Sequence, residues 1–158
     1  MAKTSLYRYF RSKDDLVVAV LERHETLWTV RLLEAESAQR APDPDQRLAA
    51  LLELFEEWLR DDGYGGCLLI NSLLESRQRS PAIGAASVAA SERVYELLCR
   101  LAGEAHLSEP RSLAHQLQII MRGSIVAAVE GNHAAVEEAH TLALQLLEQR
   151  PSQASRLE

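Results

Sequence analysis

Three features of this sequence predict an all-α fold. Apolar residues recur three and four positions apart through every long segment. No segment alternates apolar and polar residues as a half-buried strand would. The strongest turn signals fall between the periodic stretches, at Pro42 and Pro44, at 61–66, at Ser80-Pro81 and at Gly131. A chain of 158 residues, 47% hydrophobic and 25% charged, is long enough for one domain with a substantial core.

The elements follow in order. Ser12 is placed to cap a helix, with Asp14 and Asp15 favourable in its first turn. From Leu16 to Glu36 one long helix is expected, because Leu16, Val17, Val20, Leu21, Leu27, Trp28, Val30, Leu32 and Leu33 keep helical spacing. Pro42 and Pro44 stop it. Asp45 is the expected cap of the next helix, whose inner face is Leu48, Leu51, Leu52, Leu54, Phe55, Trp58 and Leu59. A third helix is expected from Cys67 to Arg79. Its first nine residues are almost all apolar, with Asn71 and Glu75 one turn apart, which predicts a central position. A fourth runs from Ile83 to Leu101, small at its start and bulky at its end. The fifth begins at Arg111 or Ser112 and ends at Val129, with Leu113, Leu117, Ile120, Met121, Ser124, Ile125 and Ala128 on one stripe. After a tight turn at 130–133, the last helix spans Ala134 to Gln149, with Ala135, Ala139, Leu142, Ala143, Leu146 and Leu147 inward. Residues 151–158 read as a flexible polar tail.

Charge is divided unevenly. The first 13 residues hold Lys3, Arg8, Arg11 and Lys13 and no acid. The remainder carries 13 basic against 23 acidic residues. A basic end on an acidic chain is a candidate surface for a polyanion. No uninterrupted apolar run reaches the roughly 18 residues of a membrane span, and no leader pattern is present, so a cytoplasmic protein without membrane contact is expected. Cys67 and Cys99 form no Cys-x-x-Cys pair and read as two free buried thiols, a redox-sensing Cys67 being the sharper alternative.

The run Thr4-Ser5-Leu6-Tyr7-Arg8-Tyr9-Phe10, followed by Ser12-Lys13 and Leu16, resembles the end of the helix-turn-helix in TetR-type (TetR/AcrR) bacterial transcriptional regulators. A second stretch, Gly66-Cys67-Leu68-Leu69 with Asn71 and then Glu75, resembles the start of the sixth helix in that family, at the order and spacing the family shows. The resemblance implies a helical regulatory domain carrying a remnant of the DNA-binding head, truncated at its amino-terminal end within the helix-turn-helix. It divides the chain into a remnant at 1–24, a ligand-binding and dimerisation domain at 25–150 and the tail at 151–158.

By position in the motif, Lys3, Thr4, Ser5, Tyr7, Arg8 and Tyr9 match the DNA contacts of the recognition helix, and Lys13 matches a phosphate-gripping lysine. Basic and hydroxyl side chains suit base edges and phosphate oxygens. Leu6 and Phe10 are expected to pack. A turn or two of helix without its supporting helices is marginal in water, so the parent protein is expected to bind operator DNA and this chain alone to bind it weakly or not at all.

The resemblance also implies a mostly apolar cavity for a small apolar or amphipathic ligand. Trp28, Phe55, Trp58, Leu69, Leu73, Tyr95, Leu98 and Met121 are the expected walls, and Asn71, Glu75, His115 and Arg122 the expected polar anchors. Homodimerisation is expected through the helices at 112–129 and 134–149, whose small residues (Gly123, Ser124, Ala127, Ala128, then Ala135, Ala139, Ala143) allow a close four-helix bundle. The family mode implied is a repressor that a ligand releases from DNA.

Catalysis is not expected. There is no His-Glu-x-x-His, no Gly-x-Ser-x-Gly and no phosphate-binding glycine loop. Glu130-x-x-His133 and Glu137-x-x-His140 have di-iron spacing but crowd one hairpin, so neither metal nor cofactor is expected. The competing reading is a stand-alone helical ligand-binding or dimeric module with no DNA role.

Overall fold

The computed structural model describes residues 9–61, 64–76 and 79–150, the side chains of 29 and 30 excepted. Lys3, Thr4, Ser5, Tyr7 and Arg8 lie outside the described residues, as does the expected tail at 151–158. Among the described residues the fold is helical and contains no β-strand.

A single rod opens it. The helix α1 (Lys13–Glu25) passes into a π-helical segment (Thr26–Glu36) and then into a last α-helical turn, α2 (Ser37–Arg40). Ser12 caps the start: its hydroxyl accepts from the Asp15 N–H at 3.0 Å, with Asp14 and Asp15 in the first turn. The change of winding has a local cause. The Thr26 hydroxyl donates to the Glu22 carbonyl at 3.0 Å, a back-bond that bends helices. π-helical winding is rare and recurs at functional sites.

Among the described residues five helices follow: α3 (Pro44–Leu59), α4 (Leu68–Ser76), α5 (Pro81–Glu104), α6 (Pro110–Val129) and α7 (His133–Glu148). Asp43 caps α3, by accepting from the Asp45 N–H at 3.1 Å, and Pro44 occupies the first helical position. The expected cap was Asp45. Pro44 explains the shift, since its fixed φ and missing N–H suit the first turn of a helix. The same preference starts α5 at Pro81, behind the Ser80 cap, and α6 at Pro110.

The core lies where α3, α5 and α6 meet beneath the rod. Leu51, Leu98, Leu113 and Leu117 are fully buried, with Leu21 and Leu33 of the rod packed onto the same cluster. Every predicted inward residue of α3 is buried except the half-buried Trp58. Truncating one such leucine to alanine costs about 2–5 kcal/mol.

The expectation for α4 is corrected. The helix is shorter than 67–79, and only Leu69 is buried, while Leu74 is 78% exposed. A nine-residue helix that packs on one neighbour, α5, covers one face however apolar the other is. On α7, Leu142 is likewise exposed, not inward.

Candidate ligand site

The rod's Trp28 turns toward α3 and builds an aromatic group. Its ring lies 4.9 Å from Trp58 and 6.1 Å from Phe55, and Trp58 meets Tyr64 edge-on at 4.8 Å. Offset and edge contacts of this kind rigidify a wall. Burial pushes the Tyr64 phenol up to about 12. Against this group lies an apolar cavity of about 50 Å³. Trp28 and Phe55 form one side. Cys67, Leu69, Ile70 and Leu73 form a second, Ser87, Ser91 and Val94 of α5 a third, and Gln118, Met121, Arg122 and Ile125 of α6 the last.

Two polar groups in this wall have no hydrogen-bond partner among the described residues, the Ser87 hydroxyl and the Trp28 indole N–H. Both atoms are buried, and an unsatisfied buried polar group carries a desolvation cost of about 1–3 kcal/mol. A guest presenting an acceptor to either would recover it.

A polar latch closes one side. The Arg122 guanidinium donates to the Ser91 hydroxyl at 2.6 Å. The Gln118 amide donates to the Ser91 carbonyl at 2.8 Å and approaches its hydroxyl at 3.4 Å. Beyond the latch lies an open groove of about 450 Å³, which shares Ile70, Leu73, Ser91, Gln118 and Arg122 with the cavity. Its other walls include Leu74, Val88, Glu92, Val126, and Tyr95 stacked on His115 at 4.3 Å. The side-chain hydrogen bond to Cys99 raises the Tyr95 phenol, with burial adding to it.

Trp28, Phe55, Leu69, Leu73, Met121 and Arg122 meet at the cavity. Trp58 stands behind the wall, in contact with Trp28 and Phe55. Tyr95 and His115 belong to the groove, and Leu98 to the core. Asn71 and Glu75 do not anchor the cavity. Both are exposed, because Leu69, Ile70 and Leu73 occupy the inward face of α4 and leave positions 71 and 75 on the opposite one. Ser87, Ser91 and Gln118 were missed. Their signal was present: Ser87 and Ser91 are four apart on an apolar helix, as are Gln118 and Arg122. Of the expected DNA contacts that are described, Tyr9 is 85% exposed and Lys13 is exposed. In the second Glu-x-x-His pair, Glu137 pairs with Arg60, and His140 Nδ1 lies 3.3 Å from Glu56.

Residues 44–143 match the family model described as tetracyclin repressor-like, C-terminal domain. The chain belongs to the TetR family. TetR-type relatives resemble it in sequence and in shape. The transcriptional activator FasR of Mycolicibacterium smegmatis is 32% identical over 108 residues, 67% of this chain and 48% of FasR. The chain therefore spans about half the length of that relative. The TetR-family transcriptional regulator SCO4454 from Streptomyces coelicolor superposes with a TM-score of 0.83 at 19% identity, over 94% of this chain and 78% of the other. The reduced form of Escherichia coli NemR superposes with a TM-score of 0.78 at 25% identity, over 96% and 82%. The all-α TetR-like fold read from the sequence is thus the fold of this chain. Among the described residues no helix is long and apolar enough to cross a membrane.

Proposed function

We propose that the protein to which this chain belongs is a ligand-responsive transcriptional regulator that binds operator DNA as a homodimer. One observation carries the reading: Trp28 is both a wall of the cavity and a residue of the rod that begins at Lys13. Fifteen residues separate the two positions, about 22 Å of helix at 1.5 Å per residue. A guest that displaces the Trp28 ring moves the rod, and the rod moves whatever is attached to its amino-terminal end. In a dimer whose DNA half-sites lie roughly 34 Å apart, a small change of separation loses register. By linkage, ligand and operator then alter each other's affinity by the same factor.

In this reading Lys3, Thr4, Ser5, Tyr7, Arg8, Tyr9 and Lys13 face DNA, residues 25–150 bind ligand and dimerise, and α6 and α7 pair with a second copy. The exposed Ile119 and Leu142 support the pairing. No catalytic role is assigned to any residue. Repression follows the family resemblance, whereas FasR is named an activator. The test is a gel shift of the full-length protein against DNA flanking its own gene, with and without ligand. Specific binding that ligand shifts in either direction supports the proposal, and release identifies repression. Absence of specific binding by the full-length protein would leave the stand-alone helical module as the better reading.

A further inference from the structure

We propose that the apolar cavity and the neighbouring groove are two halves of one site for an amphipathic anion, divided here by the bonds to Ser91. The inference deepens the ligand-binding reading above and rests on it. Size argues first. The 50 Å³ cavity accommodates a few water-sized groups, whereas small-molecule sites enclose roughly 300–1,000 Å³. The groove adds about 450 Å³, and five residues line both spaces. Three of those five, Ser91, Gln118 and Arg122, form the latch. Release of two side-chain donors from one serine therefore joins the spaces without moving a helix backbone.

Chemistry argues next. The cavity walls are apolar apart from the buried Ser87 hydroxyl and the Trp28 N–H, so an apolar chain fits there. At the boundary Arg122 is exposed, donates to a neutral hydroxyl and has no carboxylate ion pair among the described residues. An anionic head group would exchange that neutral acceptor for a charged one that can take two parallel N–H bonds from the guanidinium, opening the latch in the same step. Glu92 lines the groove and opposes an anion, so its charge sets an upper limit on affinity.

The test titrates the folded 158-residue chain with decanoate and with decanol by calorimetry, with a thermal melt confirming each variant's fold. Decanoate is expected to bind at least about tenfold more tightly than decanol, a factor equal to about 1.4 kcal/mol. Arg122→Gln is expected to abolish that preference, Arg122→Lys to restore part of it, and Glu92→Gln to increase it. Ser91→Ala, which removes the latch hydroxyl, is expected to raise decanoate affinity. Equal affinity for acid and alcohol, or a preference that survives Arg122→Gln, would overturn the anion assignment. Loss of affinity in Ser91→Ala would overturn the latch, and absence of binding by either probe would overturn the site. No DNA enters these measurements, so their failure is separable from failure of the regulator proposal.

Discussion

Arg93 Nε donates to the Glu25 carboxylate at 2.8 Å, and this pair ties the rod to the middle of α5. Glu25 is 8% exposed, so its partner shields a charge that water barely reaches. Removing one member of a buried pair leaves the other unpaired at a cost of about 3–5 kcal/mol. The Arg93 side chain is 43% exposed, which admits solvent and reduces the expected loss to about 1–2 kcal/mol for Arg93→Ala. Chemical denaturation of the variant measures it. A midpoint equal to that of the parent would mean the pair does not fasten the rod.

Acid should loosen the same rod. Burial holds the His24 imidazole below its ordinary value of 6.5. The unfolded chain then takes up a proton that the folded chain refuses. The His24 contribution is complete above pH 6.5 and is lost as pH falls from there toward the lowered folded value. Unfolding free energies at pH 7.5 and 5.5 should differ less in His24→Leu than in the parent. An unchanged difference would assign the acid sensitivity to other groups.

Two helix ends make a matched comparison. After α5, the Leu107 N–H donates to Ala102 and the His106 N–H to Gly103, both at 3.0 Å. After α6, the Asn132 N–H donates to Ala127 at 2.9 Å and the Gly131 N–H to Ala128 at 3.0 Å. Both are Schellman endings, and both need a left-handed residue, His106 at φ 52° and Gly131 at φ 73°. Glycine adopts that conformation without Cβ strain. His106→Gly should therefore stabilise by about 0.5–1 kcal/mol, and Gly131→Ala should destabilise by about 1 kcal/mol. Thermal melts of the two variants check the opposite signs.

The two thiols should react at different rates. Burial pushes the Cys67 thiol up, despite backbone N–H groups that favour the thiolate, whereas Cys99 is only half-buried. The thiolate is the reactive form. With a thiol-specific chromogenic reagent at neutral pH, Cys99 should react first, and Cys67→Ser should remove the slow phase. A fast Cys67 would revive its redox-sensing role.

Dimerisation through α6 and α7 should depend on residues that the isolated chain leaves outside. Ile119 is 68% and Leu142 54% exposed. Sedimentation equilibrium is expected to give a dimer for the parent and a monomer for Ile119→Glu with Leu142→Glu. The same distribution for both proteins would move the interface elsewhere.

Helical periodicity was legible wherever a face packs against several neighbours. The α6 stripe shows this: Leu113, Leu117, Met121, Ser124 and Ile125 are all buried. It misled on α4, because apolar composition cannot reveal that a short helix meets a single partner. The candidate site was half legible. Aromatic and methionine walls at Trp28, Phe55 and Met121 stand out by size and spacing. Ser87, Ser91 and Gln118 matter through contacts between α5 and α6, and a side chain reaching across 27 residues of sequence leaves no local trace. Asn71 and Glu75 drew attention as polar residues in an apolar run, yet in a nine-residue helix that pattern marks the solvent side.

Winding sets phase. Each residue of an α-helix advances about 100° around the axis, so a stretch hydrogen-bonded at longer spacing leaves Ser12 and Lys13 pointing in a different direction from the one a uniform α-helix would give. The azimuth of everything upstream is therefore written into residues 26–36. Inserting or deleting one residue there would swing the amino-terminal end around the rod.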